Sequence, residues 1–355
     1  MKQNLFSRIL LSPFALLYRG LISLRNIFYE AGLLKSTSFN IPVINIGNLS
    51  LGGTGKTPHI EYLIRVLQPY LNVATLSRGY KRKSKGFQWV NVNDTARAKG
   101  DEPLQFKSKF PSIPVAVSES RNIGIPMILA QYPQTQAILL DDAFQHRAVI
   151  PGLNILLTEY SNLFVDDYIL PMGRLREPRS SYERAQVIIV SKCPNEIDPQ
   201  ERLNIEKRIN PLEHQSLFFS KYRYLTPYYI FDRRITLPLQ NIENIILISA
   251  IASVDYLLEH ITEYASIQNI IKYEDHHFFT EFEMEQIKKI YDNLEEKNTV
   301  FLTTEKDAMR LVLHREFLLR NNIPIFVLPV EVEFLDDDKA AFDDYIQQYL
   351  LSFKV

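Results

Sequence analysis

The stretch Ile41–Pro58, IPVINIGNLSLGGTGKTP, determines how the rest of the chain is interpreted. Its first residues, Ile41–Ile46, form an apolar run rich in β-branched side chains, which predicts a short buried strand. Gly52–Thr57 is a glycine-rich turn that brings a lysine and a hydroxyl to the start of a helix. Pro58 falls in the first helical turn, where its missing N–H is tolerated. A strand, a glycine turn, a Lys-Thr pair and a helix are together typical of a phosphate-binding loop.

In such a loop the glycines let backbone N–H groups converge on phosphate oxygens. Lys56 is expected to reach the β- and γ-phosphates, and Thr57 is expected to ligate magnesium. The consensus glycine at the start of the loop is replaced by Ser50, and a purely structural glycine turn is the alternative. The predicted phosphate-binding residues are Ser50, Leu51, Gly52, Gly53, Thr54, Gly55, Lys56 and Thr57.

Composition limits the fold and function classes open to the chain. Its 355 residues are enough for about two domains, and 46% hydrophobic and 23% charged residues are ordinary for a globular protein. Forty basic residues against 41 acidic ones argue against bulk binding of nucleic acid. The single cysteine, Cys193, excludes an internal disulfide and fits a reducing compartment.

The N-terminal segment, residues 5–34, is strongly apolar but is interrupted by Pro13 and Gly20, and arginines recur along it. Its longest uncharged run, Ile9–Tyr18, has ten residues, which is about half of what a spanning helix needs. No convincing signal-peptide cleavage site is present. Basic side chains interleaved with large apolar ones suit an amphipathic helix lying in the interface of an anionic membrane. The alternative is an amphipathic helix packed on its own domain.

Further apolar runs predict strands that continue the sheet. Ala137–Leu140 ends in Asp141 and Asp142, and a buried strand that ends in aspartate is typical of a Walker-B strand, whose carboxylate positions magnesium. The alternative is an ordinary surface loop that contains Asp-Asp. The other strands predicted in this part of the chain are Val73–Leu76, Ile113–Val117, Leu153–Leu157 and Gln186–Val190.

Two motifs outside the loop carry groups suited to proton transfer. In GDEP, Asp101 and Glu102 lie between a glycine and a proline. They are either anions that stabilise a helix N-terminus or a general base and a magnesium-shell carboxylate. In YEDHHFFT, His276 and His277 are adjacent and point apart on regular structure; one of them orients a catalytic group, or both are structural. The basic cluster in SRGYKRKSKG likewise suits either a phosphorylated substrate or a solvated loop.

A change to extended, Tyr-rich sequence near residues 221–234 marks a connector to a second lobe, with strands predicted at Ile245–Ser249, Val300–Leu302 and Ile325–Leu328. We therefore predict an α/β fold with a P-loop NTPase-like core and a mainly parallel sheet. A smaller α/β C-terminal lobe and an N-terminal amphipathic helix complete it. The predicted domains are residues 1–34, 35–222 and 223–355.

Several motifs in a fixed order resemble those of one enzyme family. The chain contains, in order, IPVINIGNLSLGGTGKTP, SRGY, GDEP, DDAFQHR, LPMGRLREP, EDHH and TTEKD. Together they closely resemble the tetraacyldisaccharide 4'-kinase family of lipid A biosynthesis, from the basic N-terminal helix to TTEKD near residue 307. The phosphate loop alone is shared with many NTPases, whereas the ordered set is far more specific.

The resemblance implies ATP- and magnesium-dependent transfer of the γ-phosphate to the 4'-hydroxyl of tetraacyldisaccharide 1-phosphate, which yields lipid IVA. It implies a two-lobed P-loop kinase, peripheral on the cytoplasmic face of the bacterial inner membrane. The expected cofactors are ATP and Mg²⁺. The expected partners are the lipid substrate and an anionic membrane surface, but not nucleic acid, and a monomer is favoured.

The same resemblance implies roles for individual residues. Asp101 is similar to the family's catalytic base and would pair with His276, which only the motif favours over His277. Because the two residues fall in different predicted lobes, lobe closure is expected to assemble them. Thr57, Glu102, Asp141, Asp142 and Gln145 are similar to the magnesium and water shell. The residues similar to those around the active site and substrate are Arg78, Arg121 and Glu177.

The chain departs from the family pattern at two places. Ala143 stands where the family usually has glycine after the double aspartate. Its methyl group is tolerable only if the backbone there keeps φ negative. In the second lobe, Ala250–Val254 replaces the family's glycine-bearing segment, and no function is carried over to it.

Three other function classes compete with the kinase. Membrane-associated regulatory ATPases of the ParA/MinD type combine a similar loop with a membrane helix, but their extra loop lysine is replaced here by Leu51. A GTPase is disfavoured because Ser191–Pro194, SKCP, lacks the guanine-reading aspartate. A lipid-binding scaffold that uses ATP only structurally is not distinguished by motifs.

Overall fold

The computed structural model of the chain describes residues 5–294 and 298–353. It forms two compact units. Unit 1 comprises residues 1–78, 113–222 and 332–355, and unit 2 comprises residues 79–112 and 223–331. The first four residues of the predicted N-terminal helix lie outside the described part of the chain.

The strands and helices alternate along much of the chain, which is typical of α/β proteins. The strands are β1 Val43–Asn48, β2 Val73–Ser77, β3 Gln88–Trp89, β4 Val115–Val117, β5 Ala137–Asp141, β6 Leu153–Glu159, β7 Val187–Ser191, β8 Ser216–Tyr224, β9 Tyr228–Tyr229, β10 Asp232–Thr236, β11 Asn244–Ser249, β12 Ser266–Lys272, β13 Thr299–Thr304, β14 Ile325–Leu328 and β15 Val330–Phe334. The α-helices are α1 Leu5–Glu30, α2 Lys56–Leu67, α3 Ala96–Lys99, α4 Asp101–Lys109, α5 Arg121–Gln131, α6 Pro199–Ile209, α7 Asp255–Thr262, α8 Glu281–Asp292, α9 Glu305–Leu311, α10 Arg315–Arg320 and α11 Asp338–Ser352.

Unit 1 is built on a sheet whose strands follow the order β15-β8-β7-β6-β1-β5-β2-β4. The pairs from β8 through β4 are parallel. β1 lies at the centre, with Ile46 beside Asp141 of β5 and Ile155 of β6. Parallel strands are covered on both faces and therefore need continuous apolar runs, and every residue of β1, β2, β5 and β7 is buried. The predicted α/β class with a mainly parallel sheet is confirmed.

The central strand determines where the functional loops of unit 1 emerge. In open parallel sheets the loops that follow the carboxyl ends of the strands share one edge and form the binding crevice. The loop that starts at Leu49 follows β1, and Asp142 follows β5, the neighbour of β1. The fold therefore brings the glycine loop and the double aspartate to the same edge.

Unit 2 has a sheet of its own, in the order β10-β9-β14-β13-β11-β12. β12, β11, β13 and β14 are parallel, and β9 and β10 continue the sheet as antiparallel strands. The core on one face includes Leu247, Leu302 and Leu328. Thr304 ends β13 and caps α9, since its side chain accepts a hydrogen bond from the N–H of Asp307.

The units divide the chain at other points than the predicted domains. Residues 79–112 belong to unit 2, although they follow β2 of unit 1, and residues 332–355 belong to unit 1. In unit 2, α4 contacts α9, and Lys109 forms an ion pair of 2.8 Å with Glu305. The segment after β2 therefore packs on elements that lie some 200 residues later in the chain, which a local sequence pattern does not reveal.

Helix α1 runs through Pro13 as one helix and is tied to unit 1 by polar contacts. The hydroxyl of Tyr18 donates to the carbonyl of Arg176 at 3.0 Å, and Arg25 donates to the carbonyl of Gln145 at 3.0 Å. Large apolar side chains of the helix are 60–66% exposed, namely Ile9, Leu10, Phe14, Leu16, Leu17 and Leu21. Among the described residues, no helix combines the length and apolarity that crossing a bilayer requires.

Candidate active site

The glycine-rich loop connects β1 to α2 in unit 1. Gly52 and Gly55 have φ values of 114° and 87°, a region that favours glycine. Gly55 directly precedes α2, and a Cβ there would approach the Tyr222 hydroxyl to 2.8 Å. Lys56 and Thr57 are the first residues of α2, so their N–H groups have no acceptor within the helix. The local backbone is therefore that of an anion-binding turn at a helix N-terminus.

Asn48, the last residue of β1, organises the loop and was not singled out from the sequence. Its amide nitrogen donates to Thr54 Oγ1 at 2.9 Å, and its Oδ1 accepts from Lys56 Nζ at 3.3 Å. Lys56 Nζ also lies 3.8 Å from Asp142 Oδ2. A fully buried asparagine at the end of a strand in which every residue is buried is the signal that could have identified it, since buried amides need partners.

The first residues of the loop are held by a different segment of unit 1. The N–H of Leu51 donates to the carbonyl of Arg174 at 2.7 Å, and Ser50 forms an antiparallel bridge with Leu175. The N–H of Leu51 is therefore already used within the protein. In this arrangement the glycines and the start of α2 are better placed than Leu51 to offer N–H groups to a phosphate.

Asp141 and Asp142 end β5 and begin the loop after it. Asp142 has a φ of 48° and accepts two hydrogen bonds from Arg176, at 2.8 and 3.1 Å. Burial would raise the pKa of Asp142, but the positive charges of Lys56 and Arg176 outweigh it and hold that pKa well below its usual range. Asp142 is therefore an anion in a cationic setting.

Gln145 and Ala143 complete this loop. The amide nitrogen of Gln145 donates to the carbonyl of Asn48 at 2.9 Å. Its Oε1 is buried and accepts no hydrogen bond within the described part of the chain. Ala143 donates its N–H to Asn45 Oδ1 at 3.1 Å and is not among the residues with positive φ. The methyl group at the position of the family glycine is thus accommodated without strain.

The three residues predicted around the substrate have different environments in unit 1. Arg121 is the first residue of α5, is 2% exposed, and donates to the carbonyl of Asp141 at 3.3 Å. Its burial lowers its pKa to about 10, although Asp141 and Asp142 act in the opposite direction. Glu177 is fully buried and forms an ion pair with Arg184. Arg78 follows β2 and is exposed.

A second cluster of charged groups lies within unit 2, around Asp101. Asp101 begins α4 and is 3% exposed; its Oδ1 accepts the N–H of Glu102 at 3.0 Å. Its Oδ2 lies 2.9 Å from Nδ1 of His276. Burial would raise the pKa of Asp101, but the bond to His276 and the charges of Lys306 and Arg310 lower it to about 2. The two interpretations of GDEP are therefore compatible, because Oδ1 of Asp101 stabilises the start of α4 and Oδ2 contacts His276.

The two adjacent histidines have separate partners. His276 has a φ of 60°, is 9% exposed and contacts Asp101, and the Tyr80 ring packs on it with ring centroids 4.9 Å apart. His277 stacks on Tyr273 and lies 2.9 Å from Glu283. The structure therefore pairs His276, and not His277, with Asp101. The expectation that lobe closure assembles this pair is wrong, because both residues belong to unit 2 and are already in contact.

Lys306, in the TTEKD motif, is the main residue of this cluster that sequence reasoning missed. Its Nζ lies 3.0 Å from Nε2 of His276 and 3.2 Å from Oε1 of Glu102. The Asp101 carboxylate only accepts and an ammonium only donates, so the imidazole must carry its proton on Nδ1 and accept at Nε2. The carboxylates of Glu102, Asp101 and Asp275 raise the pKa of Lys306 despite its burial. Lys306 therefore holds the His276 imidazole in one tautomer.

Arg310 and Asp307 support the same site through hydrogen bonds to its backbone. Arg310 is fully buried and donates to the carbonyls of His277 at 3.1 Å and Ala250 at 3.2 Å. Asp307 accepts the N–H of Ala250 at 3.2 Å, and the N–H of His276 donates to the carbonyl of Ala250 at 3.1 Å. No function was assigned to the segment that begins at Ala250. Its first residue accepts or donates backbone hydrogen bonds to residues of both the EDHH and the TTEKD motifs.

Comparison with known proteins places this geometry in context. A sequence model described as Tetraacyldisaccharide-1-P 4'-kinase matches residues 7–351. Tetraacyldisaccharide 4'-kinase of Bacteroides thetaiotaomicron is 43% identical over 351 residues, which cover 96% of this chain and 92% of the relative. The enzyme of the same name from Flavobacterium johnsoniae is 41% identical over 347 residues, or 98% of each chain. The crystal structure of LpxK from Aquifex aeolicus in complex with ATP is similar with a TM-score of 0.73 and 27% identity, over 97% of this chain and 99% of that one.

Proposed function

Because the chain belongs to the tetraacyldisaccharide-1-P 4'-kinase family, we propose that Asp101 and His276 are its catalytic pair and that the loop Ser50–Thr57 holds the phosphates of ATP. The reaction is transfer of the γ-phosphate of ATP to the 4'-hydroxyl of tetraacyldisaccharide 1-phosphate. The observation that carries the assignment of residues is the 2.9 Å contact between Nδ1 of His276 and Oδ2 of Asp101, with Lys306 on the other imidazole nitrogen.

At the donor end, catalysis of phosphoryl transfer depends on positioning and charge neutralisation. The N–H groups at the start of α2 would bind phosphate oxygens, and the ammonium of Lys56 would neutralise charge on the β- and γ-phosphates. The contact of Lys56 Nζ with Asn48 Oδ1 at 3.3 Å supports this, because it holds the lysine beside the loop.

The residues present in unit 1 fit a magnesium ion. Gln145 Oε1 is a buried oxygen that accepts no hydrogen bond from the described residues, and carboxylate, carbonyl and hydroxyl oxygens are the ligands that Mg²⁺ prefers. When bound, the ion supplies charge neutralisation of the transferring phosphate. The residues of unit 1 proposed to form its protein and water shell are Thr57, Asp141, Asp142 and Gln145, and Glu102 of unit 2 stays an expectation from the family resemblance alone.

The ion would depend on ligands from outside the protein. Among the described residues, no group of three or more His, Cys, Asp or Glu side chains is arranged to hold a metal. Mg²⁺ usually keeps several waters and is shared between one or two carboxylates and substrate phosphates. Asp142 accepts two hydrogen bonds from Arg176, so this carboxylate would have to serve both Arg176 and the cation.

At the acceptor end, Asp101 would accept a hydrogen bond, and finally the proton, from the sugar hydroxyl. His276 would hold the carboxylate in position through Nδ1–H, and Lys306 would hold the imidazole in that tautomer. A carboxylate offers about four lone-pair sites, and Glu102 N–H and His276 use two of them. Asp101 therefore retains acceptor capacity for a substrate hydroxyl.

We further propose that α1 binds an anionic membrane surface on the cytoplasmic face of the inner membrane, where a tetraacylated substrate would be embedded. Six large apolar side chains of α1 are 60–66% exposed, and they are Ile9, Leu10, Phe14, Leu16, Leu17 and Leu21. Exposed apolar side chains together with basic ones are typical of helices that lie in a membrane interface. Arg19 and Arg25 supply positive charge on the same helix.

A label-transfer assay tests the residue assignment and separates it from the rival activity. Full-length protein is incubated with γ-labelled ATP, Mg²⁺ and purified tetraacyldisaccharide 1-phosphate. We expect label in the lipid with the wild type, and a loss of kcat with little change in ATP affinity for Asp101→Ala and His276→Ala. Near-normal turnover of Asp101→Ala would refute its role as the base. Release of free phosphate without lipid labelling would indicate a regulatory ATPase.

A further inference from the structure

Two buried side chains contact backbone carbonyls of the glycine-rich loop. Ser191, at the end of β7, places its Oγ 2.8 Å from the carbonyl oxygen of Thr54 and 3.2 Å from that of Thr158, so the shorter contact is the one with the loop. His59, in the first turns of α2, places Nδ1 2.7 Å from the carbonyl oxygen of Gly55. These two carbonyls belong to consecutive peptide planes of the glycine-rich loop, and both side chains are at most 2% exposed.

The protonation of His59 follows from its partners. A carbonyl oxygen only accepts, so Nδ1 must carry the proton and donate to Gly55. Nε2 is then the acceptor, and it lies 3.0 Å from Ser220 Oγ, which must donate to it. The two hydrogen bonds therefore run in one direction: Ser220 donates to His59, and His59 donates to Gly55.

The geometry of the peptide bond turns these contacts into a constraint on the loop. In a planar trans peptide the C=O and the N–H point in opposite directions. Fixing the carbonyl of Thr54 fixes the N–H of Gly55, and fixing the carbonyl of Gly55 fixes the N–H of Lys56. The helical bond from the N–H of His59 to the carbonyl of Gly55 is long, at 3.3 Å, so the imidazole at 2.7 Å makes the shorter contact with that oxygen.

We propose that Ser191 and His59, the latter braced by Ser220, are positioning residues that orient the Gly55 and Lys56 N–H groups toward the phosphates of ATP. The inference rests on the proposed function of the loop. It also gives a role to Ser191–Pro194, SKCP, which occupies the place of a guanine-reading motif without its aspartate. Here the first residue of that segment contacts the loop backbone.

The test is equilibrium binding of Mg-ATP to the full-length protein, measured by calorimetry, together with KM values in the label-transfer assay. Ser191→Ala and His59→Phe remove the donors. We expect each to weaken ATP binding about tenfold, since one net hydrogen bond of about 1.4 kcal/mol corresponds to a factor of ten. KM for the lipid should not change. Ser191→Thr and His59→Asn keep a donor at the same place and should restore affinity to within about threefold.

Two further variants keep the test decisive. Thr75→Val removes a hydroxyl that is fully buried in β2, away from these contacts. It should change thermal stability about as much as Ser191→Ala and His59→Phe do, but it should bind ATP like the wild type. Ser220→Ala removes only the brace on His59 and carries the test if His59→Phe does not fold, with an expected loss of about threefold.

The outcomes separate this proposal from the function of the loop. Lys56→Ala must lose ATP binding; if it binds like the wild type, the loop is not the nucleotide site and both proposals fail. If Lys56→Ala loses binding while Ser191→Ala and His59→Phe bind normally, only the positioning proposal fails. It also fails if Ser191→Thr and His59→Asn do not restore affinity, because the donors would then not be the property that matters.

Discussion

Replacement of Asp101 by Asn tests whether the charge of this buried carboxylate is needed, beyond its shape. Asn keeps an acceptor oxygen for the Nδ1–H of His276 but removes the negative charge that lies near Lys306 and Arg310. We expect kcat for label transfer to fall by about 10²–10⁴, the range for loss of a positioned proton acceptor. The KM for ATP should stay the same, because none of the proposed ATP contacts involves Asp101.

The same substitution has a calculable effect on stability. Folding lowers the pKa of Asp101 from 3.8 to about 2, and each pKa unit corresponds to about 1.4 kcal/mol. The ionised carboxylate therefore contributes about 2–3 kcal/mol, which is present above the unfolded pKa and is lost as the pH falls through the folded pKa. Asn does not titrate. The variant should thus be less stable than the wild type by about 2–3 kcal/mol at neutral pH, and by about half of that near pH 3.

Urea unfolding at a series of pH values measures this difference, and Asp275→Asn is the matched control. Asp275 lies 3.8 Å from the same Lys306, but its side chain is 39% exposed and makes no contact with Asp101 that the structure records. The control should remain within about 0.5 kcal/mol of the wild type. The reasoning is refuted if Asp101→Asn keeps wild-type kcat, or if its stability deficit at neutral pH is no larger than that of the control.

Three further predictions concern the other parts of the proposal. Lys306→Met removes the donor to Nε2 of His276, so kcat should fall about tenfold or more, the loss expected for a hydrogen bond to a charged group, while the KM for ATP stays the same; a wild-type kcat would contradict the proposed role of Lys306. Asp142→Asn should raise the Mg²⁺ concentration for half-maximal activity about tenfold or more, and an unchanged Mg²⁺ titration would exclude it from the metal shell. The double variant Leu16→Glu/Leu17→Glu should sediment less with anionic vesicles than the wild type, and equal sedimentation would show that this face of α1 does not meet the membrane.

The strands of both units were largely predictable because buried parallel strands need continuous apolar runs. Val73–Leu76 and Ala137–Leu140 were predicted to within one residue of β2 and β5. The strands that were not predicted are β3, β8, β9, β10, β12 and β15. In β12, Ser266–Lys272, most residues are exposed and polar residues interrupt the apolar pattern. Packing partners were not predictable either: residues 79–112 join unit 2 through contacts that only the folded chain creates.

The candidate site was predictable where a motif fixes local geometry and not where it depends on long-range contacts. The glycine loop and Asp142 follow their strands directly, so their shared position at the sheet edge followed from topology. Lys306 reaches His276 across 30 residues and Glu102 across more than 200 residues of sequence, and TTEKD alone gives no reason to expect either contact. Ser191 and His59 could be interpreted only once the direction of the Thr54 and Gly55 carbonyls was known.

The low pKa of Asp101 limits what kind of base it would be in the proposed reaction. A carboxylate with a pKa of about 2 is far too weak to deprotonate a sugar hydroxyl before transfer begins, and general bases usually have pKa values closer to the working pH. Phosphoryl transfer, however, passes through a loose transition state in which the nucleophile needs little early activation. A carboxylate that is always ionised and is fixed by His276 and the Glu102 N–H is suited to orienting the hydroxyl and taking its proton late. The environment of Asp101 therefore favours precise orientation over basicity. The contact of Lys306 with His276 contributes to that orientation, because it fixes the imidazole that contacts Asp101.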